Sequence, residues 1–147
     1  MSYKGRYRPS NKKKYRGDVN NIIYRSLWER KFMVKCDQDP NILEWGSEEI
    51  VIPYISPIDG KRHRYFPDFY VKTINGEKFL IEIKPKKYTR KPKRPKRVTR
   101  RFIYEAQEWG KNQAKWKAAE EMCRKQGWKF LIFTEDHLNT HKYMSNK

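Results

Sequence analysis

The chain has 147 residues, enough for one domain with its own core, and 15% of them are aromatic. Its formal net charge of +18 points to a polyanion, DNA or RNA, as the partner that relieves self-repulsion. The sequence has no apolar run of bilayer length and no apolar segment behind its basic start, which argues against a membrane span or a secretory signal.

Residues 1–17 carry seven basic side chains and no acid, interleaved with tyrosine, glycine and proline. They are expected as a flexible basic arm that lies on something acidic, a solubilising tail being the plainer alternative. Residues 18–140 then form a single domain, with 141–147 as a polar tail. A helix is expected from Asp18 or Asn20, either of which can cap it, to about Gln38, where Asp39-Pro40 stops it. Ile22, Ser26, Glu29, Met33 and Cys36 fall on one stripe of that helix. Glu29 is therefore an inward acid in need of a partner. A buried salt bridge or a capping role would satisfy it without any chemistry.

Short strands follow at Ile42–Trp45 and Glu49–Tyr54, and Ser56-Pro57-Ile58-Asp59-Gly60 reads as a hairpin turn. Arg62–Ile74 is expected as one strand, Asn75-Gly76 as a tight turn, and Phe79–Lys84 as the antiparallel partner. Together these make a meander of three or four strands. In Phe79–Lys84 the alternation sends Phe79, Ile81 and Ile83 to the core and projects Glu82 and Lys84 together from the other face.

The stretch 84–101 holds eleven Lys or Arg, three Pro and no acid. That proline density excludes a regular helix or central strand, so 85–101 is expected as an inserted, extended basic loop. Lys86, Lys87, Arg90, Lys91, Lys93, Arg94, Lys96, Arg97, Arg100 and Arg101 are its candidate DNA contacts, gripping the phosphate backbone. A solvated linker is the plainer alternative. Phe102–Gln126 reads as a helix, with a break allowed at Gly110. Phe102, Ala106, Trp109, Gln113, Trp116 and Cys123 form its inward face, so Gln113 is expected to reach a partner inside. Gly127 stops that helix, Trp128–Thr134 is a buried strand, and Glu135–Leu138 is a short helical turn. Cys36 and Cys123 sit in expected helices without metal-ligand spacing and read as reduced thiols.

Opposite charges side by side at the end of an apolar strand are unfavourable unless something compensates them. A divalent metal, Mg²⁺ or Mn²⁺, held by Asp68 and Glu82 with the Ile83 carbonyl would do so, with Glu29 approaching from the helix. Lys84 can then orient an attacking water, lower its pKa, or stabilise the pentacovalent phosphorus. The residues thus point to a metal-dependent nuclease with catalytic set Glu29, Asp68, Glu82 and Lys84.

Pro67-Asp68, followed fourteen residues after the aspartate by Glu82-Ile83-Lys84, resembles the signature of the PD-(D/E)xK nuclease superfamily. The resemblance implies an α/β fold with a restriction-endonuclease-like core: helix, β-meander, then helix and strand, with a central mixed sheet flanked by helices. It implies hydrolysis that leaves a 5′-phosphate and a 3′-hydroxyl. It also makes Gln113 a candidate accessory residue, since some branches place a glutamine on the helix after the lysine strand. The stretches NNIIYRSLWERKFM, EWGSEEIVIPYISPIDGK, RYFPDFYVKT and LIEIKP are similar to the head completion nucleases of T4-like tailed bacteriophages. With NQAKWKAAEEMC they also resemble the end-cutting endonuclease subunits of Tn7-type transposons. That likeness implies endonucleolytic and exonucleolytic action during head completion and head–tail joining. It implies DNA and phage head or portal proteins as partners, in the cytoplasm of an infected bacterial host or with the virion. No membrane or small-molecule cofactor is implied.

Two other classes remain. A non-catalytic DNA-end or portal-binding protein with a nuclease-like fold would have no reason to bury Glu29, Glu82 and Lys84 together. A ribosomal-type RNA-binding protein would explain the charge but not the inward acids. Little base preference is expected, because the positive charge is concentrated in backbone-gripping segments.

Overall fold

The computed structural model describes residues 4–140, so the polar tail at 141–147 lies outside the described residues. From Lys4 onward, the segment expected as a flexible arm is folded onto the domain. Its first strand, β1 (Gly5–Arg6), pairs antiparallel with β2 (Ile23–Tyr24). Tyr7 and Tyr15 are buried, and the Tyr15 ring stands edge-on against Trp45 at 4.7 Å. Tyr7 and Tyr15, expected on an extended arm, are core residues, and this apolar burial offsets the entropy of ordering the arm.

The first long helix, α1 (Leu27–Gln38), starts later than the sequence suggested. Its cap is Ser26, whose Oγ accepts from the Glu29 N–H, while residues 18–25 are turn and strand. Ser26 and Ile22 therefore do not belong to its stripe. Phe32, Met33 and Cys36 do, spaced three and four residues apart. At its far end Lys14 donates to the carbonyls of Asp37 and Asp39, and Asn11 to that of Asp37, so the arm closes the helix C-terminus.

Strands β3 (Ile42–Ser47), β4 (Ile52–Ile55), β5 (Arg62–Tyr65), β6 (Phe69–Thr73) and β7 (Lys78–Ile83) follow, then α2 (Arg100–Gln126), β8 (Lys129–Phe133) and α3 (Glu135–Thr140). The sheet order is β3-β6-β7-β8, antiparallel except for the parallel β7–β8 pair. A simple meander was expected, but β4 and β5 pair only with each other and leave the sheet as a hairpin. Proline explains the split of the expected 62–74 strand. Pro67 has no N–H to give a ladder, so the chain leaves the hairpin at Phe66 and enters the sheet at Phe69.

Alternation along β6 and β7 divides the core in two. Phe69, Val71, Phe79, Ile81 and Ile83 pack under α1 with Phe32, Met33 and Trp45. Tyr70 and Leu80 meet Trp116, Ala119 and Cys123 of α2 and Ile52, Tyr54 and Tyr65 of the hairpin. Helix α2 runs unbroken through Gly110, starts at a Thr99 cap and ends at Gly127 in the left-handed conformation. Cys36 and Cys123 are free, buried thiols. Among the described residues no helix is long and apolar enough to cross a membrane.

Candidate active site

In the β6–β7 ladder Phe69 pairs with Ile81, so the next position brings Asp68 opposite Glu82. The Ile83 N–H donates to Asp68 Oδ2 at 2.8 Å and pins the aspartate between Glu82 and Lys84. The Asp68 carbonyl accepts from the Glu48 N–H at 3.1 Å. Glu48 holds the left-handed backbone conformation, φ 56°, that is uncommon outside glycine, and so turns the chain out of β3 beside the site.

Each of the three acids is held by one oxygen. Asp68 uses Oδ2, as above. Glu82 Oε1 accepts from the Tyr65 hydroxyl at 2.7 Å, and Glu29 Oε1 accepts from the Arg25 N–H at 3.0 Å. Asp68 Oδ1 and Glu29 Oε2 take no hydrogen bond among the described residues, whereas Glu82 Oε2 has Lys84 Nζ at 3.7 Å and the Asp68 N–H also favours the charged Glu82 carboxylate. The capping role weighed for Glu29 is real, but it engages half of the carboxylate.

The acids feel one another. Burial pushes the Asp68 carboxyl well above its usual range, and the charges of Glu82 and Glu29 push it further against the Ile83 N–H and Lys84. Burial also raises Glu82, opposed by Tyr65, Lys84 and Lys115. Glu29 is raised by burial first, with Glu48 and Glu82 adding and Arg25 opposing. Glu29, Asp68, Glu82 and Lys84 therefore share one electrostatic neighbourhood at the end of β7. Among the described residues no three Asp, Glu, His or Cys side chains converge into a ready-made metal cage. The donors present are hard carboxylate oxygens, crowded and short of compensating charge, which suits a cation held by two carboxylates and water.

The sequence profile described as "TnsA-like endonuclease N terminal" matches residues 39–135, about two-thirds of the chain. A protein described as the head completion nuclease of Enterobacteria phage T4 is 47% identical over 142 residues, 94% of this chain and 95% of that protein. The chain belongs to the TnsA-like endonuclease family. Its α/β fold, with a central mixed sheet flanked by helices, is accordingly restriction-endonuclease-like. The span matched to the TnsA-like profile contains Asp68, Glu82 and Lys84, whereas Glu29 precedes it on α1.

Gln113 does not join this site. It is exposed, because the buried face of α2 is Trp116, Ala119 and Cys123, and the residue facing the acids near Trp116 is Lys115. Lys115 lies with its Nζ 5.6 Å from the centre of the Tyr65 ring, and burial, Lys111 and Lys84 lower its pKa while Glu82 opposes them. Sequence reasoning missed Lys115, Tyr65 and the Arg25–Glu48 clamp, whose two contacts are 2.6 and 2.7 Å. The one usable signal for Lys115 was its place beside the Trp116 stripe. Tyr65 became readable only once β5 folded back as a hairpin.

The basic stretch also divides. Residues 86–89 form a short 3₁₀ turn, and the exposed Lys86 pairs with Asp136 at 3.0 Å. Arg101 pairs with Glu105 at 3.5 Å. Lys93, Arg94, Lys96, Arg97 and Arg100 are exposed with no ion pair among the described residues.

Proposed function

We propose that the chain is a divalent-metal-dependent DNA endonuclease that completes packaged phage heads, with Glu29, Asp68, Glu82 and Lys84 as its catalytic set. The observation that carries this is the trio of half-anchored acids around one lysine. Asp68 and Glu82 would hold Mg²⁺ or Mn²⁺, with Glu29 reaching it through a metal-bound water or holding a second ion. When bound, such an ion neutralises charge developing on a phosphate and supplies an activated water near neutral pH. Ile83, Tyr65 and Arg25 fix one oxygen of each acid, which limits the rotation of the carboxylates. Lys84, a quarter exposed, reaches the same place and stabilises the negative charge of the attacked phosphate. The exposed cations after Arg90 hold flanking phosphates, which confers affinity without base preference.

The likeness to a head completion nuclease supports a role late in virion assembly, in the cytoplasm of an infected bacterium, with head or portal proteins as partners. Cutting at DNA ends would give exonucleolytic products as well. The test is plasmid incubation with Mg²⁺ or Mn²⁺ against EDTA. Nicking is expected with metal, and is expected to vanish in Asp68→Asn and Lys84→Ala. No nicking by the unaltered chain at any metal or salt concentration would overturn the reading in favour of a non-catalytic DNA-end protein.

A further inference from the structure

Beside Lys84 a groove of about 400 Å³ runs between the 86–92 segment and the first turns of α2. Two of its lining tyrosines, Tyr88 and Tyr104, are 45% and 62% exposed, and Trp109 is half-buried on the same wall. Leaving such rings in water is unfavourable, and nothing among the described residues covers them. Cations accompany them. Lys87 Nζ stands 4.9 Å from the Tyr88 ring centre and Lys91 Nζ 5.9 Å from that of Trp109, with Arg90 also in the lining. The two acids of the groove are already engaged, Glu105 with Arg101 and Glu108 with Lys111 at 2.9 Å. The groove therefore keeps an excess of positive charge.

Aromatic faces interleaved with Lys and Arg are what a strand of unpaired nucleotides requires: bases stack on the rings and phosphates meet the cations. A duplex offers only base edges in its grooves and hides the faces. The volume lies within the roughly 300–1,000 Å³ of small-ligand sites, room for a splayed nucleotide and not for a double helix. Lys84, the ion-pair partner of Glu82, is part of the lining, so the groove adjoins the acids.

We infer that this groove binds an unpaired nucleotide next to the cleaved phosphate, making DNA with a single-stranded end or flap the preferred substrate. This rests on the nuclease reading only for the position of the cut; the binding itself needs no cleavage. In EDTA, fluorescence anisotropy would compare a blunt duplex, the same duplex with a short overhang, and one whose overhang lacks its bases. The overhang is expected to bind more tightly than the blunt end, and removing its bases to abolish the gain. In a Tyr88→Ala, Tyr104→Ala variant the ratio of overhang to blunt affinity is expected to fall ~5- to 100-fold, the range for lost base stacking. Equal affinity for blunt and overhanging DNA, or an undiminished gain from the baseless overhang, would overturn the inference. The baseless probe acts on the unaltered chain, so misfolding of the variant leaves the test intact. Failure of plasmid nicking would sink the nuclease reading and leave this result standing.

Discussion

The protein buries carboxylates in two places, and they are treated oppositely. Asp37, at the end of α1, is wholly buried, yet both of its oxygens are in use. Oδ2 accepts from the Tyr7 hydroxyl at 2.8 Å and the Ser10 N–H at 2.7 Å, and Oδ1 from the Asn11 N–H at 2.9 Å. Asp68 and Glu29 are each held by one hydrogen bond, Glu82 by Tyr65 with help from the Asp68 N–H and Lys84, and the three press against one another. A buried acid is therefore not in itself a sign of function. What separates the two is unused bonding capacity: Asp37 fastens the arm, whereas Asp68 and Glu29 each keep an oxygen without a hydrogen bond among the described residues.

The sharpest way to break this contrast is to change the same chemistry in both places. Asp68→Asn and Lys84→Ala are each expected to lower the nicking rate by about 10³-fold while leaving a cooperatively folded protein. Asp37→Asn should do the reverse, destabilising by about 2–4 kcal/mol in urea unfolding, because an amide nitrogen cannot accept from the donors gathered there. Nicking by that variant, assayed where it remains folded, should stay near that of the unaltered chain. Tyr65→Phe removes only the hydroxyl that holds Glu82, and is expected to weaken metal affinity or cleavage about 10- to 100-fold with little change in stability.

Smaller still is a pH effect. The folded pKa of Asp68 is raised, so without divalent metal the folded state binds more protons than the unfolded chain. Its contribution is most favourable below the ordinary carboxylate range and is lost as pH rises through that range toward the raised value. Unfolding of Asp68→Asn measured from acid to neutral pH should lack this decline, so the variant gains relative to the unaltered chain as pH rises. Gln113→Ala, at an exposed position outside the site, should change stability and cleavage least, with stability staying within about 0.5 kcal/mol.

Much of the site was legible because it is written in one strand. The alternation of Phe79–Lys84 placed Phe79, Ile81 and Ile83 on one core face but not the burial of Leu80 on the other, and Pro67 marked where an acid could stand at a sheet end. The arm was misread because charge masks contact. Lys14 and Tyr15 look like a solvated basic run, and only the folded chain brings them to the α1 terminus and to Trp45. Gln113 was misread because a helical stripe drawn from Phe102 drifts from the face that the sheet buries at Trp116, Ala119 and Cys123. Tyr65 bonds Glu82 from the hairpin and Lys115 acts on its charge from α2, placements that no local spacing encodes.

The contrast between filled and open carboxylates meets its most direct test in thermal unfolding with increasing Mn²⁺. Metal that binds only the folded chain raises the melting temperature with concentration. The unaltered protein and Asp37→Asn are expected to rise by the same amount, and Asp68→Asn not to rise at all. An equal rise in Asp68→Asn, or none in the unaltered protein, would contradict the assignment of the open acids to a metal.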